Sequence, residues 1–391
     1  MSPGGSAFSK KRVLIKALDL SGRLISPLRA RGAPPKQARN ILLMELWGIG
    51  DVVLSTPAII ALKKIYPGSR LAYLGKPHAA EVLKGCPHVD EFITFDLPWT
   101  RLHGKYNILK WDCRALFRLV STLRARRFDL AVDVRGDIRS NIIMRLSGAR
   151  ARVGYGAFRG DYTLTHEVQR PPGPCHRVDE WHGIIRYLSP DAELPSPSLW
   201  VSDIEAQAAF RRAGVKGRGG VIAGIHPGAS NRSKKWGLPK YERLGRYLHE
   251  KYGARVIYFP DPDGYGSDLK TPGSITVAGW PLREMMSLIK RCDVFFCNDG
   301  GPMHIAAALG VPTVAVFGPT LSSWFRPFGD GNIVVEKDVC GYKPCSDYCR
   351  FDSPACLEAV SFDDVISIAG EILSKAPEKP SSASATVRPA T

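Results

Sequence analysis

The chain has 391 residues, 44% of them hydrophobic, enough to bury a large core and to form two or three domains. Its net charge of +17 is concentrated near the start, where Lys10, Lys11, Arg12, Lys16, Arg23, Arg29, Arg31, Lys36 and Arg39 face Asp19 alone. That asymmetry favours an anionic partner: nucleic acid, an anionic membrane surface or an acidic substrate.

No apolar run approaches the ~20 residues that span a bilayer. The first residues also lack the unbroken apolar region and small-residue cleavage site of a signal peptide. Nine cysteines, five of them scattered, fit a reducing cytoplasm better than a secreted disulfide scaffold.

In chain order, RVLIKALDLSGRLISPL (12–28) is amphipathic at helical spacing. Arg12, Lys16, Asp19 and Arg23 fall on one stripe, with Val13, Leu14, Leu18, Leu24, Ile25 and Leu28 opposite. Two readings are open: a helix lying on an anionic leaflet, or one docked on its own protein. RGAPPKQAR (31–39) is loop by composition. From Asn40 the pattern predicts strands at 41–47, 70–75, 92–95 and 128–134, a helix running on from Asp51, and helices around 78–84 and 112–126. A second series starts at Val221 with VIAGIHPG. It predicts helices at 239–252, 282–291 and 362–374, and strands at 255–259, 274–279, 293–297 and 313–318.

Such alternation implies an α/β chain with parallel sheets covered by helices on both faces. The proline-rich stretch around 190–200 separates the series into two doubly wound domains expected to face each other across a cleft. The expected organisation is a basic extension (1–39), an N-terminal domain (40–205), a C-terminal domain (206–375) and a disordered Pro/Ser/Ala tail (376–391).

Ligands of open α/β sheets bind beyond the carboxyl ends of the strands, and three turns fit that description. In WGIGDVVLSTP (47–57), Gly48 and Gly50 allow an unusual backbone path, and Asp51 is either a helix cap or a general base. In IHPGASNRSKKWGLPKYERL (225–244), Gly228, Ser230 and Asn231 offer donors beside Arg232, Lys234 and Lys235. That loop is a phosphate cradle or a solvated basic loop. In CNDGGPMHIAAALGVPTVAVFGPT (297–320), Gly300 and Gly301 leave room for close approach and Pro302 can start a helix whose dipole favours phosphate. His304 there is a packed histidine or a ligand contact. Cys340, Cys345, Cys349 and Cys356 could bind structural zinc or iron, or stay as reduced thiols or occasional disulfides; the spacing is no double CxxC.

Together these stretches carry a resemblance. GIGDVVLSTPAIIALKKIYPGSRLAYL, HPGAS with KKW, and NDGGPMHIAAALGVPTVAVFGPT resemble three signatures of the glycosyltransferase family that includes the ADP-heptose:lipopolysaccharide heptosyltransferases. FDLAVDVRGDIRSN, RVGYG and AGWPLREMMSLIKRCDVFFCNDGG match as well, in order, over residues 40–372. The resemblance implies a GT-B fold of two Rossmann-like domains, acceptor on the first and nucleotide sugar on the second. It further implies inversion by direct displacement, with no cofactor or catalytic metal. Asp51 matches the base, and Gly50, Arg135 and Arg139 lie on the acceptor side. Lys234 matches the lysine that steadies the leaving pyrophosphate. Ser230, Lys235, Gly300, Gly301 and Pro302 complete the donor site, Asp299 orients the sugar or the turn, and His304 supports the loop.

The partners implied are ADP-heptose, a lipid-linked core saccharide and the anionic inner face of the inner membrane, where the enzyme is peripheral and cytoplasmic. Nucleic acid is not expected, because the basic arm has no reader motif. The alternatives are transfer of another sugar to a different glycan or protein, or a non-catalytic membrane-attached binding protein. Two departures stand out. Gly300 occupies a position where the family commonly has threonine, and FPDPDGYG (259–266) replaces a glycine-rich turn followed by an acid, leaving Asp261 or Asp263 for the ribose.

Overall fold

The computed structural model describes residues 33–100, 111–156, 161–215, 220–345, 349–351 and 353–375. The amphipathic segment 12–28 and the tail 376–391 lie outside the described residues. The chain divides after Trp200 into two compact units.

In the first unit, β1 (Asn40–Glu45), β2 (Arg70–Gly75), β3 (Glu91–Thr94), β4 (Leu130–Asp133), β5 (Ala151–Tyr155) and β6 (His166–Val168) form one parallel sheet, ordered β3-β2-β1-β4-β5-β6. Its helices are α1 (Ile49–Leu54), α2 (Thr56–Ile65), α3 (Pro77–Val82), α4 (Cys113–Ala125), α5 (Ile138–Leu146) and α6 (Arg177–Leu188). Cover on both faces is why β1 reads as an unbroken apolar run: Ile41, Leu42, Leu43 and Met44 are all fully buried. The helix expected to run on from Asp51 is two helices. Pro57 has no N–H for the Val53 carbonyl, so Thr56 Oγ1 donates to it at 2.7 Å, while Ser55 Oγ donates to Val52 O at 2.7 Å.

The second unit repeats the winding. β7 (Ile222–His226), β8 (Arg255–Tyr258), β9 (Ile275–Thr276), β10 (Val294–Asn298), β11 (Thr313–Val316) and β12 (Ile333–Val335) are parallel in the order β12-β11-β10-β7-β8-β9. Around them lie α7 (Asp203–Arg212), α8 (Leu238–Tyr252), α9 (Leu282–Ile289), α10 (Gly301–Ala308), α11 (Ser322–Phe325), α12 (Ala355–Glu358) and α13 (Phe362–Lys375). Trp236, Tyr241, Leu244, Leu248, Val256 and Phe296 lie in the core cluster of this unit. Glu205 pairs with Arg283 at 2.9 Å and Asp203 with Lys290 at 2.8 Å, which ties α7 to α9 and the residue after it. Residues 201–205, grouped by sequence with the first domain, fall in the second unit.

The pattern did not predict β5, β6, β12, α5 or α6. The α6 spacing of Val178, Trp181, Ile184, Ile185 and Leu188 is helical, but RPPGPC just before it reads as loop. The strand expected at 274–279 shrinks to Ile275–Thr276, bounded by Gly273 and Gly279 at φ 67° and 70°.

In each sheet the strand order reverses at one place, between β1 and β4 and between β7 and β10. The turns that follow those neighbouring strands open side by side, which is where such folds hold ligands. At the second reversal Asn298, fully buried at the end of β10, donates to Pro227 O at 2.7 Å and Gly228 O at 3.1 Å. Its Oδ1 accepts from Trp236 N at 3.1 Å and Tyr241 Oη at 2.9 Å. Asn298→Ala orphans these partners at about 1–3 kcal/mol for each that water cannot reach. Urea unfolding should show the variant weaker by about 3–5 kcal/mol; an unchanged midpoint would mean the network is dispensable.

Candidate active site

At the first reversal the chain leaves β1 through Glu45, Trp47 and Gly48. Gly48, not Asp51, caps α1. Asp51 is the third helical residue, and its Oδ2 accepts from Gly48 N at 3.2 Å. Gly48 has φ −83° and ψ 171°, an ordinary extended conformation. Gly50 lies within α1, and neither glycine has positive φ. The unusual backbone path expected of these two glycines is therefore absent. The glycine that does need to lack a side chain is Gly136, at φ 65°, where a Cβ would lie 2.5 Å from Tyr155 O.

Gly136 belongs to the turn after β4. There Asp133 Oδ2 accepts from Arg135 N and Gly136 N, each at 3.1 Å, so the turn delivers Arg135 towards α1. Arg135 Nη1 reaches Asp51 Oδ1 at 3.4 Å, and its guanidinium stacks 4.5 Å over the Trp47 ring. Arg177 of α6 brings Nε to 3.8 Å from the same oxygen. Arg139, by contrast, makes a two-pronged pair with Asp137 at 2.8 and 2.6 Å.

Burial dominates the electrostatics here. It pushes the Glu45 carboxyl up to about 8, with the Asp51 charge adding to the rise and Arg135 opposing it. It lifts Asp133 to about 7 against its two backbone donors, and lowers Arg177 to about 10 with help from Arg135. Lys76 and His78, just beyond β2, are pushed down by burial and up by the Asp51 charge. At this reversal Asp51 is a partly exposed carboxylate with the guanidinium groups of Arg135 and Arg177 beside it.

At the second reversal Lys234 Nζ meets Asp299 Oδ2 at 2.6 Å, and the Asp299 side chain is only 7% exposed. Lys235 Nζ lies 3.2 Å from Asp261 Oδ2 and 3.7 Å over the Tyr265 ring. Asp261 also accepts from Ala229 N at 3.2 Å, and a side chain at Gly228 would run into its carboxylate. Asp261 therefore braces the HPGAS loop, while Asp263 is exposed and accepts from Tyr265 N at 3.0 Å. His226, buried beneath the loop, bonds Phe259 O at 2.7 Å, and burial lowers its proton affinity.

Ser230 is exposed on that loop, and Gly300, Gly301 and Pro302 form the entry to α10. Gly300 is fully extended at φ −178°, and a Cβ there would meet only Pro302 Cδ at 3.9 Å. The turn accordingly does not require glycine at 300, and the space beside it is open, as the expected room for close approach needs. His304 is buried in α10. Two lysine side chains lie beside the turn that enters α10, with Ser230 exposed on the neighbouring loop, a set suited to an anionic group.

The family model for glycosyltransferase family 9 (heptosyltransferase) matches residues 116–353. The chain belongs to this family. Lipopolysaccharide heptosyltransferase 3 of Escherichia coli is 24% identical over 298 residues, covering 73% of this chain and 85% of that protein. Among solved structures, the family 9 glycosyltransferase of Veillonella parvula aligns at TM-score 0.75 and 20% identity, covering 88% of this chain and 99% of that one. The ADP-heptose lipopolysaccharide heptosyltransferase II of E. coli aligns at 0.69 and 20%, covering 85% and 98%. The fold is the GT-B fold of two Rossmann-like domains, and the protein is a glycosyltransferase.

Of the two readings left open for the cysteine cluster, the structure gives no support to the metal one. Among the described residues no three His, Cys, Asp or Glu side chains are grouped to hold a metal ion. Cys356 is buried at α12, whereas Cys340, Cys345 and Cys349 are half-buried on the preceding loop, and all four are free thiols. The donors do not converge as a tetrahedral site requires.

Sequence reasoning missed Glu45, Asp133, Arg177 and Asn298. For three of these the signal was present: an acid or amide closing an otherwise apolar strand, as in ILLME, LAVD and VFFCN, is costly unless it is bonded. The Lys234–Asp299 pair is open to direct test. In a double-mutant cycle of Lys234→Met and Asp299→Asn, coupling should be at least about 1 kcal/mol. Additive effects would mean that the pair does not form in solution.

Proposed function

We propose that this glycosyltransferase moves heptose from ADP-heptose onto a saccharide of the lipopolysaccharide core, with inversion at the anomeric carbon. The observation that carries the reading is the Lys234–Asp299 pair at the entry to α10, beside the HPGAS loop at the reversal of a Rossmann-type sheet. A nucleoside diphosphate is the ligand such an entry favours. The two relatives named for heptosyl transfer supply the sugar and the acceptor.

On this reading Asp51 takes the proton of an acceptor hydroxyl as that oxygen attacks the anomeric carbon and the diphosphate leaves. Lys234 meets the charge that grows on the leaving oxygen, assisted by Lys235, Ser230 and the amides at Gly300 and Gly301. Asp299 aims Lys234, and His304 holds the turn from within α10. Gly50, Arg135 and Arg139 lie on the acceptor side, where arginines suit phosphates and acidic sugars. The family chemistry needs no metal or cofactor.

The acceptor is lipid-linked, which brings the enzyme to the inner face of the inner membrane as a peripheral protein. Among the described residues no helix is long and apolar enough to cross a membrane. A docking face is offered by α4, which exposes Arg114, Arg118 and Arg124 with no acid in the helix, and presents Phe117 at 75% exposure. A second reading, transfer of a different sugar, is favoured by one observation: Asp261 braces the HPGAS loop in the segment where the ribose contact was expected.

Thermal shift against nucleotides separates these readings. ADP and ADP-heptose should raise the melting temperature while UDP and GDP do not; a preference for UDP or GDP sugars would overturn the heptose assignment. Asp51→Asn should cut transfer by roughly 10²–10⁴-fold yet keep the shift with ADP, and undiminished transfer would remove Asp51 as base. Binding to vesicles containing phosphatidylglycerol should weaken at least about tenfold in Arg114→Glu/Arg118→Glu, since each charge near an anionic surface is worth about 1 kcal/mol. Equal binding would exclude α4 as the docking face.

A further inference from the structure

Glu45 closes β1 and is 2% exposed. Its Oε1 accepts from Trp47 N at 3.2 Å, and among the described residues it makes no ion pair. The charged and titratable groups that act on it come from every neighbouring element: Asp51 in α1, Asp133 at the end of β4, Arg135 in the turn beyond, Arg177 in α6, and Tyr73 in β2. The Tyr73 hydroxyl is already engaged with Ser55 Oγ at 3.1 Å.

The two arginines are committed elsewhere. Both reach Asp51 Oδ1, and Arg177 also pairs with Glu180. A third carboxylate ionised here, out of water and with no cation of its own, would have to draw one of them away from Asp51. Keeping its proton is the cheaper state for such a group.

We propose that Glu45 is a positioning residue: it carries a proton at neutral pH and, by staying neutral, leaves Arg135 and Arg177 to the Asp51 carboxylate. This rests on the reading of Asp51 as the base. Burial, the first cause, and the Asp51 charge push the Glu45 carboxyl up to about 8. Ionisation above that pH places a second anion beside Asp51 and competes for the arginines that hold it. Transfer therefore gains an alkaline limb that belongs to Glu45.

The stability sign follows from the same proton. The unfolded chain releases it near the ordinary carboxyl value, whereas the native protein keeps it up to about 8. Wild type thus loses stability as pH rises between those values, and a residue with nothing to ionise does not. Asp133 contributes a slope of the same sign, so the difference between wild type and variant reports Glu45 together with its coupling to Asp133.

The full-length protein is compared with Glu45→Gln and, in case that variant folds poorly, Glu45→Met. Infrared spectra at pH 7 should show the C=O stretch of protonated carboxylic acid, which loses the Glu45 share on substitution and keeps only that of Asp133. The melting temperature of either variant relative to wild type should climb from pH 5 to pH 8. The alkaline limb of kcat/KM should move upward or vanish. An unchanged carboxyl band, with variants that fall behind wild type as pH rises, would mean an ionised, paired Glu45 and overturn the proposal. A limb that stays in place would overturn the positioning role. If wild type transfers no sugar from any donor, the reading of Asp51 fails, while the infrared and melting results still decide where the proton sits.

Discussion

The geometry of the second-unit site depends on one buried amide. Asn298 has two N–H donors and one carbonyl with two lone pairs, and all four capacities are used. The partners come from three places: the loop after β7, the segment leading into α8, and α8 itself. Loops of this kind bury little apolar surface, so hydrophobic packing cannot fix their path. A saturated polar anchor can, because any displacement leaves a buried donor or acceptor without a partner. Through Asn298 the strand that carries Asp299 also sets the height of Gly228 and the approach of Lys234.

The two units use one architectural rule with opposite charge. In each, the turns after two neighbouring parallel strands meet at the reversal of strand order. In the first, a carboxylate is the focus and two arginines surround it without a short bidentate contact, at 3.4 and 3.8 Å. Loose pairing leaves the lone pairs of the Asp51 carboxylate accessible, which suits a proton acceptor. In the second, lysines are the focus, and each is held by an acid, Lys234 by Asp299 and Lys235 by Asp261. An ammonium already aimed by a carboxylate loses little side-chain entropy when an anion arrives. On the proposed reading, a diphosphate adds itself to an aimed cation instead of having to recruit a free one.

Much of this was legible in the sequence, for identifiable reasons. Parallel strands buried on both faces write themselves as short apolar runs, so β1, β2, β4, β7, β10 and β11 could be read directly. Asp51, Lys234 and Asp299 were visible because they sit in glycine-rich turns after such runs. Arg177 was not, because it reaches Asp51 from α6, more than a hundred residues away, behind a proline-rich loop that disguises the helix. Glu45 and Asn298 were missed differently: each is a polar residue closing an apolar run, a signal the sequence carries, but the partners that make it matter come from distant segments. The glycines misled in the other direction. Gly48 and Gly300 are conspicuous in the text but adopt extended conformations open to any residue, while the less conspicuous Gly136 and Gly228 are held by tight contacts.

Gly300 is the clearest case of what that distinction means for specificity. Backbone strain cannot explain a glycine where the resemblance leads one to expect threonine, since φ is −178° and the space beside it is open. What glycine changes is chemistry: it removes a hydroxyl next to Asp299 and leaves the backbone at that point unshielded. With no side chain between Asp299 and the first turn of α10, recognition at this corner falls to backbone amides, which see phosphate charge and not sugar identity. Discrimination between donors must then come from groups with directional side chains nearby, and Asp299 is the buried one directly before the turn. A Cβ at 300 would fit without moving the chain, so the turn can form whichever residue stands there.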